Sequence, residues 1–304
     1  MRNTGPQDGG PSPDPRLGPA RGGPSVWRML LGARLRRLRE EAGVSREDAA
    51  YAIRASASKM SRLELGRVGF KDRDVADLLT LYGVHDEDER TRLLAVVRRA
   101  NAPQWWHRYG DVVPGWLETY IALEEAAHRV RVYATQLVPA LLRTDEYARA
   151  VLDLCPPHRS AEELDRLVEL EMERQRILTR PDPPRLWALI DESVLRRPVG
   201  GVRVMRRQLR HLVEMTAAPN VTLQILPARL GLGLPGGPFT LLRFQEPDLP
   251  DVVCLEQLGG VQYLERRHEL DLYGGTLDAL CARAAQPDRT AELVKEVLGE
   301  LDRP

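Results

Sequence analysis

Cysteine, lysine and long apolar runs are all scarce in this chain of 304 residues. The three cysteines, Cys155, Cys254 and Cys281, are too few and too widely spaced for a disulfide framework or a zinc site, which predicts a reducing, cytoplasmic setting. No stretch approaches the roughly 18 apolar residues of a membrane span. Residues 1–25 contain no apolar run of about seven residues, so no secretory signal is expected. Net charge is absent too, because 44 basic residues meet 44 acidic ones, and the whole chain lacks the basic excess of a nucleic-acid binder. Lysine occurs only at positions 59, 71 and 295, so positive charge is carried by arginine.

Catalytic and metal-binding signatures are equally thin. Histidines 85, 107, 128, 158, 211 and 268 include no pair at helical i, i+4 spacing and have no partner cysteine. No G-x-S-x-G elbow is present. GLGLPG at residues 231–236 satisfies G-x-G-x-x-G, but a dinucleotide site needs those glycines to open a helix, and here Pro235 and Pro238 interrupt while PFTLLRF continues as a strand. The chain is therefore expected to be no enzyme and to hold no cofactor and no metal.

What is present is a globular composition, 43% hydrophobic and 29% charged, with one local charge asymmetry. Between Leu30 and Arg73, eleven basic residues face six acidic ones, a net of +5. Residues 1–26 form a Pro/Gly-rich tail expected to be disordered. From Trp27, apolar residues at Leu31, Leu35, Leu38 and Ala42 give one helical stripe ending at Gly43. Ser45, with Asp48 three residues on, opens a second helix on Ala49, Ala50 and Ile53. Ser56 caps a third that turns Met60 and Leu63 inward. Helices over 71–82 and 86–100 complete a five-helix bundle, residues 27–100.

In that bundle the second and third helices, joined by a tight turn, have the arrangement that lays one helix in a major groove. The outward set of the third helix is Ser56, Ala57, Ser58, Lys59 and Arg62: short hydroxyls and two long cations that can meet base edges or phosphates. The stretch S-x-S-K-M-S-R-L-E-x-G, Ser56 to Gly66, resembles the recognition helix of the Cro/repressor type, the XRE family of helix-turn-helix regulators. The run from Trp105 to Leu152, WWHRYGDVVPGWLETYIALEEAAHRVRVYATQLVPALLRTDEYARAVL, is similar to the domain that follows this motif in actinobacterial, antitoxin-like regulators.

This resemblance implies DNA binding, phosphate contacts from Arg46 and Arg67, base-facing Ser58, Lys59 and Arg62, and a very small partner protein encoded nearby. Two positions depart from the family pattern: Arg54 stands where Gly usually makes the turn, and Ala57 where Gln commonly reads a base. A non-Gly residue at the turn either takes a left-handed conformation or reshapes it. One such unit offers few base contacts, so a homodimer on an inverted repeat of double-stranded DNA is expected. The alternative is a protein-interaction module built on the same bundle without DNA.

Residues 101–304 read as an α+β sensor, dimerisation or partner-binding domain, giving a mainly α protein with a helical first domain and a small sheet in the second. Helices are expected over 117 to about 132, after Thr144, over 160–179, over about 202–216 and at 267–285 and 289–301. RLWALI, VTLQIL, PFTLLRF and VVCLEQL read as four strands. Glu124, Glu125, Glu169, Glu171 and Glu173 lie in arginine-rich helical stretches where i, i+4 pairing is the expected role. Trp105, Trp106, Tyr109 and Trp116 either pin a core or wall a ligand pocket.

Overall fold

In a computed structural model the described residues are 26–66, 68–101, 104–154, 159–230, 237–245, 250–257 and 259–301. The N-terminal tail, Arg67, Cys155 and the GLGLPG stretch lie outside them. Among the described residues no helix is long and apolar enough to cross a membrane.

The first five helices are α1 (Val26–Glu41), α2 (Arg46–Ala52), α3 (Ala57–Glu64), α4 (Asp72–Leu81) and α5 (Glu87–Asn101). Their start signals are local. Ser45 and Ser56 have extended backbones, and each side chain accepts the backbone N–H three residues on, from Asp48 and Lys59. The apolar stripe of α1 meets Ala49, Ala50, Met60, Leu63, Val75, Leu78 and Leu79 in one buried core. Small Ala49 and Ala50 let α2 lie close against α3.

A 3-10 turn, Trp105–Tyr109, follows, and then α6 (Gly115–Ala126). The expected helix over 117–132 is shorter than its pattern suggested. It stops at Ala126, Ala127 turns extended, and β1 (Arg129–Ala134) begins at once. The reason lies in RVRVYA, whose alternate residues serve two different cores: Val130 and Ala134 face one side of the sheet, Tyr133 the other. Tertiary pairing on both flanks overrides the helical reading of a short apolar run.

The chain continues through α7 (Asp145–Leu154), α8 (Ala161–Gln175), β2 (Arg185–Asp191), α9 (Glu192–Arg196), α10 (Val202–Met215), β3 (Val221–Leu226), β4 (Phe239–Arg243), β5 (Val252–Gln257) and β6 (Gly260–Leu264). It closes with α11 (Arg267–Arg283) and α12 (Thr290–Glu300). The sheet has six strands in the order β3-β2-β1-β4-β5-β6, where four were expected. Strands β1, β2 and β3 are mutually parallel, joined by helical crossovers, while β4, β5 and β6 run as an antiparallel meander. One face packs against α6, α7, α8, α10 and α12, and the other against α11, through Leu277 and Leu280.

Of the five carboxylates expected to pair along α6 and α8, only Glu173 pairs locally among the described residues, with Arg176 at 2.7 Å and i, i+3 spacing; the strongest pairs run to other elements. Glu124 receives a bidentate grip from Arg174, at 3.0 and 3.1 Å, across the two helices, and Glu171 takes Arg143 at 3.1 Å. Glu125 pairs with Arg180, and Glu169 and Glu173 with Arg108. Buried charges need bonded partners, and here those partners come from other elements because the burial is between elements. The aromatic group also divides. Trp106 and Tyr109 are buried in the core of the second domain with Trp105 edge-on to both, whereas Trp116 lies against β6 and its carbonyl accepts from Tyr263.

Candidate nucleic-acid interface

The turn between α2 and α3 carries an uncommon residue. Arg54 has φ of 53°, the single non-glycine with positive φ among the described residues. Its N–H donates to the Tyr51 carbonyl at 3.0 Å, and that of Ala55 to the Ala50 carbonyl at 2.8 Å. This is the double closure that glycine usually supplies at a helix C-terminus, as Gly43 does after α1 and Gly83 after α4. Arginine thus keeps the tight geometry, at a conformational cost of about 1 kcal/mol. In return a guanidinium stands exposed at the turn.

Helix α3 is held from behind. Met60 and Leu63 are buried in the bundle core. At its C-terminal end the Glu64 carboxylate is buried and accepts Arg39 Nε at 2.5 Å, while Arg46 Nε approaches at 3.5 Å. Arg39 also donates to the Val44 carbonyl, so one carboxylate ties α1, the turn after it, α2 and α3 together. The Glu64 hydrogen bond, despite opposing burial, holds the Arg39 guanidinium above its ordinary pKa. Sequence reading quoted Glu64 as part of a motif and missed this role, since its partner lies 25 residues upstream.

The forward side of α3 presents the expected set. Ser56, Ser58 and Arg62 are exposed, and Ala57 and Lys59 are partly so. Arg62 makes no ion pair among the described residues. Lys59 is less available than its sequence position suggests, because Asp74 of α4 holds its ammonium at 3.6 Å. At this exposure such a pair contributes under about 1 kcal/mol, so a phosphate or a base acceptor can displace it. Ser56 spends its oxygen on the helix cap and retains only its O–H to donate. Arg46 lies half-exposed on α2 with its guanidinium leaning on Glu64, and Arg67 is outside the described residues.

Charge sharpens along the same face. On α1, Arg36 and Arg37 are neutralised by Glu40 and Glu41 one turn away. On α3 no acidic residue occupies the first turn, so its N-terminal N–H groups and dipole are unopposed by a carboxylate within the helix. Tyr51 of α2, 86% exposed, is a large aromatic offered to solvent that sequence reading passed over. Nothing in its spacing sets it apart from a buried aromatic.

Comparison with protein families agrees with this geometry. A helix-turn-helix domain matches residues 30–93, from α1 into α5. A second family, a domain of unknown function (DUF5753), matches residues 117–296, more than half of the chain. The chain belongs to the DUF5753 family. No curated protein and no solved structure matches it. The DUF5753 region begins in α6, takes in the whole six-stranded sheet and ends in α12, so the 3-10 turn with Trp105 and Trp106 falls between the two matched regions.

Proposed function

We propose that this chain is a sequence-specific, DNA-binding transcriptional regulator of the XRE type, antitoxin-like and cytoplasmic, acting as a homodimer on an inverted repeat. The observation that carries the reading is the mounting of α3: Met60 and Leu63 anchored behind, Ser58 and Arg62 exposed in front, on a helix-turn-helix domain. Ser58, Lys59 and Arg62 meet base edges, while Arg46, Arg67 and the N-terminal N–H groups of α3 take phosphates. With Ala57 in place of a long amide, direct readout relies on the hydroxyl and guanidinium that follow. The DUF5753 region supplies control, with a second subunit or a very small protein as its partner. The reading assigns no catalytic step and needs no cofactor.

A gel shift on the DNA upstream of the protein's own reading frame, at two salt concentrations, tests this. The expected outcome is a sequence-dependent shift that weakens steeply with salt. Arg62→Ala should lose about 1 to 3 kcal/mol of affinity with discrimination at one base pair, whereas Arg46→Ala should weaken all sequences alike and reduce the salt slope by about one. Absence of any shift at low salt would favour a protein-interaction module instead.

A further inference from the structure

A cavity of about 380 Å³ lies where the two domains meet, roofed by Trp27 and Leu30 of α1 and floored by Trp106, Ala126 and His128. Its volume falls in the range of small-molecule sites. Two indoles and the Pro183 and Pro184 rings line it, among the polar side chains of Gln104, His128 and Gln245. Its charges are Glu125, Asp182 and Arg180. The Arg180 guanidinium is already committed to the Glu125 carboxylate and carbonyl and to the Asp182 carbonyl. Asp182 has no ion pair among the described residues. The lining thus sets two carboxylates against one arginine that is itself paired, a net negative charge that favours a cation beside the Trp27 and Trp106 indoles. A second cavity, about 550 Å³, has a net positive lining, four arginines against two glutamates, and none of its lining residues comes from the N-terminal bundle.

The roof of the first cavity is mechanically unusual. Helix α1 belongs to two cores at once: Leu31, Leu35 and Leu38 pack in the bundle, while Met29 and Leu30 pack against the core of the second domain. Its backbone also touches the end of the recognition helix directly. A Cβ on Gly32 would stand 2.5 Å from the Leu63 carbonyl oxygen, and one on Gly66 would stand 2.6 Å from the Met29 nitrogen. No side chain cushions either contact, so a shift of α1 must be followed by α3.

We propose that this interdomain cavity is an effector site for a small cationic aromatic molecule, whose binding against Trp27 and Leu30 moves α1 and, through the Gly32 and Gly66 contacts, repositions α3. The second half bears on regulation only under the DNA-binding reading; the site itself does not depend on it. A ligand that prefers one placement of α1 shifts the protein toward it by its differential affinity.

The test uses the full chain and a matched pair of probes with one indole framework, tryptamine as the cation and indole-3-acetate as the anion. Isothermal titration should give saturable, one-to-one binding of tryptamine, at least tenfold tighter than indole-3-acetate. Asp182→Asn, at an exposed position, and Trp27→Ala should each weaken tryptamine about tenfold. Hydrogen–deuterium exchange should slow on binding in both residues 26–32 and residues 57–66, a readout that needs no DNA. Equal binding of the two probes, or indifference of both variants, overturns the site. Binding that leaves exchange in residues 57–66 unchanged overturns the coupling. Failure of the gel shift without ligand would instead remove the DNA-binding reading and leave calorimetry and exchange to decide the pocket.

Discussion

The N-terminal bundle and the C-terminal domain each bury a carboxylate against an arginine, and the two sites differ in what closes them. Glu124 and Arg174 are sealed between α6 and α8, with the Tyr120 ring beside the guanidinium. Burial raises the Glu124 pKa, and Arg174 opposes that rise. Glu64 is as buried as Glu124, but it serves two arginines of unequal exposure: Arg39 is enclosed and Arg46 is 42% exposed. A sealed pair does nothing but hold two helices. The Glu64 cluster also orders Arg46, a cation that remains within reach of a partner, which is how a structural carboxylate can serve a binding surface without touching the ligand.

The largest effects should separate these two sites. Glu124→Ala leaves Arg174 buried and unpaired and should cost about 3 to 5 kcal/mol in denaturant unfolding of the full chain. Glu64→Ala should cost less, about 3 kcal/mol, because Arg39 keeps the Val44 carbonyl and lies near Glu40. Equal losses would mean that the Val44 carbonyl and Glu40 do not compensate Arg39. A smaller and opposite change is expected at the turn. Arg54→Gly relieves a left-handed arginine and should stabilise the bundle by about 1 kcal/mol, read as a higher midpoint at unchanged m-value. A destabilised variant would show that the arginine side chain holds the turn. The smallest effect belongs to Asp74→Asn, which should shift stability by under about 1 kcal/mol while raising duplex affinity a few-fold in the gel shift, since Lys59 no longer has to leave a carboxylate.

The same two regions differ in how far they could be read without coordinates. All five bundle helices follow from signals within a few residues: serine caps, a 3.6-residue stripe, glycine stops. Even the departure at Arg54 announced itself as a missing glycine. Four of the six strands were visible. RLWALI, VTLQIL, PFTLLRF and VVCLEQL are apolar enough to be strands in any setting, but β1 alternates valine with arginine, and Arg131 is buried only because Asp278 and the Trp187 ring of distant segments receive it. GVQYL of β6 is a short edge strand whose pairing with β5 alone defines it. At the interface, which residues point outward was legible from the period. Which of them are already spoken for was not, because Asp74 and Glu64 act across the bundle and no local spacing records that.

Because α1 is shared, the molecule has no clean cut between its helix-turn-helix domain and its DUF5753 domain. A fragment ending after α5 would carry Met29 and Leu30 as an uncovered apolar strip at its first helix, inviting non-native association through a surface that the intact chain buries. Anyone grafting the helix-turn-helix domain onto a foreign partner domain would have to redesign those two positions together with the new junction, or transplant the floor beneath them as well.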